Sequence, residues 1–320
     1  MDNYILKDWI PYRLDFQDPT TVLCEWRFIS DKRFTEPFFQ NSTSKCTIYA
    51  ENRQIYVPTT QLESLVDFAD KVPSIEPNAF IFHISRCGST LFSQLLSLDN
   101  QNIVISEAPI LDEVLREISF SKFEVSEEEI NSSVKAVIKL LGKKRMDDEK
   151  QLFIKLDSWH IFYYDKLRKL YPDTPFIFSF RRPDEVIRSQ LINPGMHAAR
   201  GVIQPVLFGF ELNDVLFLDP EVYISKVLEK YFESFLEIIE TDKNTLFVDY
   251  AEGILPLFDK IADFLNLKID ENTKTKMTER TQFHSKSPNT VFEEKILENE
   301  ISEHQKKVFE LYEKLRTFAS

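Results

Sequence analysis

Cysteine is scarce. The three present, Cys24, Cys46 and Cys87, show no CxxC pairing and no zinc-ligand spacing. A disulfide scaffold and a structural zinc site are therefore not expected. Positive charge is also short: 39 Lys and Arg stand against 52 Asp and Glu, a net charge of −13. That deficit argues against nucleic acid or an anionic membrane as the main partner, since both reward a basic face. It leaves room for a local cationic pocket around a small anionic ligand. No apolar run is long enough to span a bilayer, and the opening MDNYILKDWIPYRLDFQD mixes charge throughout, without the apolar core of a signal peptide. The expected location is the cytoplasm, with reduced thiols. Glycine is rare, 6 in 320 residues, so a glycine in a motif-like place carries information.

What is present is core material. Hydrophobic residues make up 43% of the chain and 28 of them are Phe, enough for one large domain or one domain with a small appendage. Five short apolar runs read as buried strands: Ala79–Ser85, Asn102–Glu107, Gln151–Asp157, Pro175–Arg181 and Asn244–Tyr250. They are too short and too continuous for amphipathic helices. Helical patterns lie between and after them, at Ser89–Leu98, Pro109–Ile118, Trp159–Leu170, Pro183–Leu191, Pro220 to about Glu240, Ile254–Leu265 and Leu297–Phe318. A capping box at Ser126–Glu129 opens one more, running to about Leu141. Alternating strands and helices predict an α/β fold with a mainly parallel, about five-stranded sheet covered on both faces. Residues 1–75 are aromatic and irregular, with a strand expected at Ile55–Val57 and a helix at Leu62–Asp70. They read as a small N-terminal module before an α/β domain at 76–320.

In such sheets ligands bind beyond the carboxyl ends of the strands. The first strand runs into Arg86-Cys87-Gly88-Ser89-Thr90 and then an apolar helix. This is the layout of a phosphate cradle, with helix N–H groups, a guanidinium and two hydroxyls facing one anion. The Walker pattern GxxxxGK[ST] is absent, and an ordinary capped turn fits as well. The second strand ends in Glu107, which suits either a general base beside an anion or a helix N-terminal carboxylate. The third carries Lys155 and Asp157. A Lys inside FIKLD needs a ligand or a partner, such as Glu107 or Asp157. The fourth ends in Arg181, and Ser189 follows two turns into the next helix. An Arg at that rim fits a second anion, distinct from the first.

With these residues in place, the chain resembles the sulfotransferases that use 3′-phosphoadenosine 5′-phosphosulfate (PAPS), most of all the bacterial sulfotransferase-like proteins and, more distantly, protein-tyrosine sulfotransferases. The resemblance covers roughly residues 78–290 and implies a three-layer, P-loop-like fold. It implies that Arg86, Cys87, Gly88, Ser89 and Thr90 hold the 5′-phosphosulfate and that Arg181 and Ser189 hold the 3′-phosphate. By the same resemblance Glu107 is the catalytic base and Lys155 assists the leaving group, and Arg86 in the first loop is expected to help neutralise the bridging oxygen. The segment Phe247–Tyr250 through Leu265 also resembles a family element. The C-terminal RKG-type signature is missing, and Lys286 is the residue expected to replace it. His160, on the helix after the third strand, is read as packing. The implied reaction passes a sulfuryl group to a hydroxyl or amine of a small-molecule or peptide acceptor, with no metal. The other readings are a P-loop kinase or other nucleotide-dependent phosphotransferase, and a non-catalytic nucleotide-binding protein of the same fold. Asn193–Phe210, rich in small and apolar residues, is expected to line the acceptor side or to form a homodimer contact.

Overall fold

A computed structural model of the chain describes residues 6–18, 20–284, 287–291 and 301–319. Strands β1 (Trp9–Asp15), β2 (Leu23–Phe28) and β3 (Thr59–Gln61) form an antiparallel sheet. The five apolar runs form β4 (Pro77–His83), β5 (Asn102–Ser106), β6 (Gln151–Lys155), β7 (Phe176–Phe180) and β8 (Thr245–Asp249). Their hydrogen-bonded order is β5-β6-β4-β7-β8, a parallel sheet flanked by helices, which is the α/β architecture the sequence predicts. Each strand ends one or two residues before its apolar run does, so Glu107, Asp157 and Arg181 lie just past the carboxyl ends. Among the described residues no helix is long and apolar enough to cross a membrane.

The chain divides into two compact units: residues 1–80, 93–156 and 166–174 in the first, and 81–92, 157–165 and 175–320 in the second. In the first, β5 and β6 pair in register from Asn102 and Gln151 to Ser106 and Lys155. Pro11 cannot donate to a ladder, and β1 accommodates it as an edge strand with a register shift between Pro11 and Arg13. Glu25 of β2 is buried and accepts two bonds from Arg13, each of 2.8 Å. The helix Pro109–Leu115 holds β1 through Glu113, whose carboxylate accepts the Leu14 N–H at 2.5 Å. Burial pushes the Glu113 carboxyl up to about 8. The helix Glu127–Leu141 opens on the full reciprocal capping box of Ser126 and Glu129.

In the second unit β7 and β8 run parallel, and Phe82, Phe178 and Phe247 stack across three strands with centroids 4.9 and 4.5 Å apart. Helices Pro183–Ile192, Pro220–Thr241, Ile254–Phe264, Glu271–Thr281 and Lys306–Ala319 belong to it, with the first residues of the Ser89–Leu96 helix.

Two expectations are corrected, and two strands had not been expected. Ile55–Val57 is not a strand: Ile55 and Tyr56 are 93% and 86% exposed, and the chain pairs at β3 instead, against Leu23–Glu25. β1 and β2 were not legible, because Pro11, Arg13 and the buried Glu25 break their apolar alternation. The helix expected over Trp159–Leu170 begins as a 3-10 segment, Ser158–Tyr163, and turns α-helical only at Tyr164–Leu170. The final helix is described from Lys306 to Ala319, and 297–300 of the expected span lie outside the described residues.

Candidate active site

In the second unit the connection from β4 to the Ser89–Leu96 helix is tight and strained. Ser85 and Arg86 both lie in the left-handed region, at φ 66° and 54°, and Gly88 follows at φ 78°. For side-chain-bearing residues this costs about 1–2 kcal/mol each, so the loop persists only because its surroundings hold it. The holding contacts are specific. Ile84 N–H donates to Ser179 O at 3.3 Å, Ser179 Oγ to Cys87 O at 3.1 Å, and Cys87 Sγ to Ser179 O at 3.3 Å. The Arg86 guanidinium donates to Asn193 O through Nη2. Left-handed residues leading into a helix N-terminus are a means of gathering backbone N–H groups around an anion.

Gly88 is required twice over. Its φ disfavours any side chain, and a Cβ there would come within 2.4 Å of Cδ2 and Cε2 of Tyr250. The Tyr250 ring in turn carries the Arg181 guanidinium, 4.4 Å from its centroid. Arg181 Nε donates to Glu185 at 2.6 Å and Nη1 to Arg86 O at 3.4 Å. Gly88, Tyr250, Arg181 and Arg86 thus form one chain of contacts within this unit. Ser189 is half-buried on the Pro183–Ile192 helix, and Ser89 is buried at the start of its own. Arg188, which precedes Ser189 in sequence, has a buried Nη1 with no hydrogen-bond acceptor among the described residues.

Cys87 is fully covered. Burial pushes its thiol up, but its interactions with His83, Ser179 and the Ser89 N–H more than offset this and leave it below the ordinary thiol value. His83 Nδ1 accepts the Ser85 N–H at 2.9 Å, so the same imidazole braces the strained loop. His160 is buried beside Trp159 and Tyr163, in a packing position, and its Nδ1 accepts the Asp157 N–H at 3.3 Å.

In the first unit Glu107 is also left-handed, at φ 51°, and its N–H donates to Lys155 O at 2.8 Å, extending the β5–β6 ladder by one residue. The Lys155 side chain is 0% exposed and ion-paired with Glu107 Oε1, while Glu107 retains 23% exposure. Lys155 Nζ also sits 5.6 Å from the Phe38 ring centroid, a cation–π contact. Of the two partners the sequence offered Lys155, its ion pair is with Glu107. Lys286 lies outside the described residues.

The structure therefore brings Arg86, Cys87, Gly88 and Arg181 together in one unit and Glu107 and Lys155 together in the other. Sequence reasoning missed Tyr250, His83 and Glu185 as supports. Their signal was weak: each is a residue next to a strand end or one helical turn from it.

No protein-family model matches the chain, and no curated protein matches it. Among solved structures it is similar to sulfotransferase STF9 from Mycobacterium avium, at 14% identity over 75% of this chain and 76% of that one, with a TM-score of 0.45. It is similar to the sulfotransferase domain of the Synechococcus PCC 7002 olefin synthase, at 16% identity over 75% and 96%, TM-score 0.43. It is also similar to mouse sulfotransferase SULT7A1 complexed with PAP, at 14% identity over 70% and 72%, TM-score 0.38.

Proposed function

We propose that this chain is a sulfotransferase that takes its sulfuryl group from PAPS and passes it to a hydroxyl or amine. The observation that carries the reading is the β4 loop: left-handed Ser85, Arg86 and Gly88, closed against Tyr250 and backed by Arg181. The residues fit a multiply charged anion. Arg86 is part of the loop, Arg181 Nη1 donates to the Arg86 backbone oxygen, and the Ser89–Leu96 helix starts directly after Gly88. In a protein of net charge −13, such a cluster of cations is the local exception an anionic donor needs.

The donor, when bound, supplies an activated sulfuryl group on a good leaving group. The Ser85–Thr90 loop holds and orients the phosphosulfate end, and Arg181 with Ser189 holds the 3′-phosphate. In this reading Lys155 and Arg86 would be the cations that neutralise the charge developing on the bridging oxygen. Glu107 would accept the acceptor's proton as the new oxygen–sulfur or nitrogen–sulfur bond forms and the bond from sulfur to the bridging oxygen breaks, releasing 3′-phosphoadenosine 5′-phosphate. Positioning and electrostatic stabilisation then do most of the work, as in phosphoryl transfer. The reading calls for no metal, because side-chain cations take its place.

The deciding experiment compares thermal shifts with 3′-phosphoadenosine 5′-phosphate (PAP) and with ATP–Mg²⁺, since a ligand of the native state raises the melting point. PAP should stabilise the chain and ATP–Mg²⁺ should not. The reverse order would favour a phosphotransferase. Arg181→Ala should weaken PAP binding by about tenfold or more, the loss of a charge-assisted bond of roughly 1.5–3 kcal/mol. Unchanged affinity by calorimetry would remove Arg181 from the site.

A further inference from the structure

The second unit buries a run of polar side chains that the proposed reaction does not use. Tyr231 donates its hydroxyl to Ser158 Oγ at 3.3 Å, and Ser158 Oγ lies 3.2 Å from His197 Nδ1. His197 Nε2 lies 3.2 Å from Gln190 Nε2. Gln190 Nε2 also donates to Ser85 Oγ at 3.1 Å, and its Oε1 accepts the Gly195 N–H at 2.7 Å. Tyr231, Ser158, His197 and Gln190 are all buried.

One backbone group fixes the polarity of the whole run. The Gly195 N–H can only donate, so the amide oxygen of Gln190 faces it and the NH₂ faces Ser85 and His197. That NH₂ has two protons, one for each neighbour. His197 Nε2 must therefore accept, which makes the ring neutral with its proton on Nδ1, directed to Ser158 Oγ. A protonated His197 would set N–H against N–H at Gln190, and groups this deep cannot turn to water instead.

The far end of the run is the strained loop: Ser85 has φ 66° and Arg86 φ 54°. We propose that Gln190 and His197 are positioning residues for that loop. They hold Ser85, and through it the backbone N–H groups that follow, in the conformation that receives the donor's phosphosulfate, and they do so only while His197 is neutral. The inference rests on reading the loop as the donor site. Several titratable groups come from the elements around His197. Tyr231 and Tyr223 are on the Pro220–Thr241 helix, and burial pushes both phenols up and keeps them neutral. Asp157 and His160 belong to the segment that carries Ser158, and Arg86 belongs to the loop itself.

Two measurements on the full chain test this. Long-range proton–nitrogen NMR at pH 7.5 should show His197 as the Nδ1–H tautomer. PAP affinity is then followed from pH 7.5 to 5.5 in the wild type and in Gln190→Glu, whose carboxylate welcomes a proton on His197 Nε2. The wild-type Kd should rise relative to the variant's as pH falls, by about tenfold once His197 is charged, because only the wild type then sets N–H against N–H at Gln190. Titration of the ligand's phosphates is common to both and cancels in the ratio. A wild-type Nε2–H tautomer, or a ratio that does not move with pH, overturns the inference. A wild type that binds no PAP at any pH defeats the donor reading, and the inference with it. Should Gln190→Glu fail to fold, amide exchange of residues 85–88 in the wild type decides. It should accelerate as His197 protonates, and constant exchange counts against the proposal.

Discussion

Gly88→Ala is the sharpest perturbation available, because two independent costs meet at one atom. At φ 78° an L-residue is in the left-handed region, a cost of about 1–2 kcal/mol. The new Cβ would also lie 2.4 Å from two carbons of Tyr250, more than 1 Å inside ordinary contact. The ring cannot simply step aside, since it carries Arg181 at 4.4 Å. Overpacking of this kind costs roughly 1–3 kcal/mol. The two together come to about 2–5 kcal/mol, or a fall in melting temperature of roughly 4–10 °C for a chain of this size. Urea unfolding of Gly88→Ala, Tyr250→Ala and the double variant separates the terms. Removing the ring relieves the overlap and leaves the backbone strain, so the double variant should be more stable than the sum of the singles predicts, by about 1–3 kcal/mol. Strict additivity within about 0.5 kcal/mol, or a Gly88→Ala protein that melts with the wild type, would refute the contact between loop and ring.

Glu107→Gln keeps the shape at the end of β5 and removes the base. The rate per folded molecule should fall by about 10²-fold or more while PAP binding persists, and a near-wild-type rate in a destabilised protein would show that Glu107 only pairs with Lys155. Glu113→Gln tests the raised carboxyl at the β1 contact. Its folded-state value of about 8 lies above the unfolded one, so the acid's contribution is fully present below pH ~4.5 and is lost as pH rises through about 8. The variant should therefore gain stability over the wild type as pH rises, and nothing at pH 4, in denaturant melts. Parallel curves for the two proteins would place the Glu113 carboxyl in the ordinary range.

The five strands of the main sheet were legible because a strand buried on both faces must be continuously apolar, and Phe-rich runs such as FIFSF at Phe176–Phe180 have no other use. The capping box at Ser126 was legible for a similar reason: its chemistry is local. β1 and β2 were not, since a buried Glu25 is tolerable only with Arg13 opposite it, a pairing between strands that no single-strand pattern reveals. The site divides the same way. Gly88, Arg181 and Glu107 announce themselves by type and by their place at strand ends. Tyr250 and Gln190 do not, because each acts by touching a residue far away in sequence, Gly88 and Ser85 respectively, and His83 does not because it reaches Cys87 only through the irregular turn between them. The left-handed turn at Ser85 and Arg86 was equally hidden, as neither residue type favours it.

The order β5-β6-β4-β7-β8 has a consequence for how the chain is made. The central strand is synthesised first. β4 is complete at His83, yet its neighbours β6 and β7 end only at Lys155 and Phe180. At about 5–20 residues per second, the segment AFIFH stays without either partner for several seconds during translation. Such a stretch is β-prone, uncharged and free of proline after its first residues, the signature of an aggregation-prone nascent segment. Ribosome-bound chains halted before Phe176 should therefore engage holdase chaperones and be cut readily by protease within β4, and chains extended well past Phe180 should be protected there. Equal protease sensitivity at both lengths would mean that the central strand finds its cover elsewhere. The run of phenylalanines that anchors the finished sheet is thus also the part of the molecule most in need of shelter while it is being built.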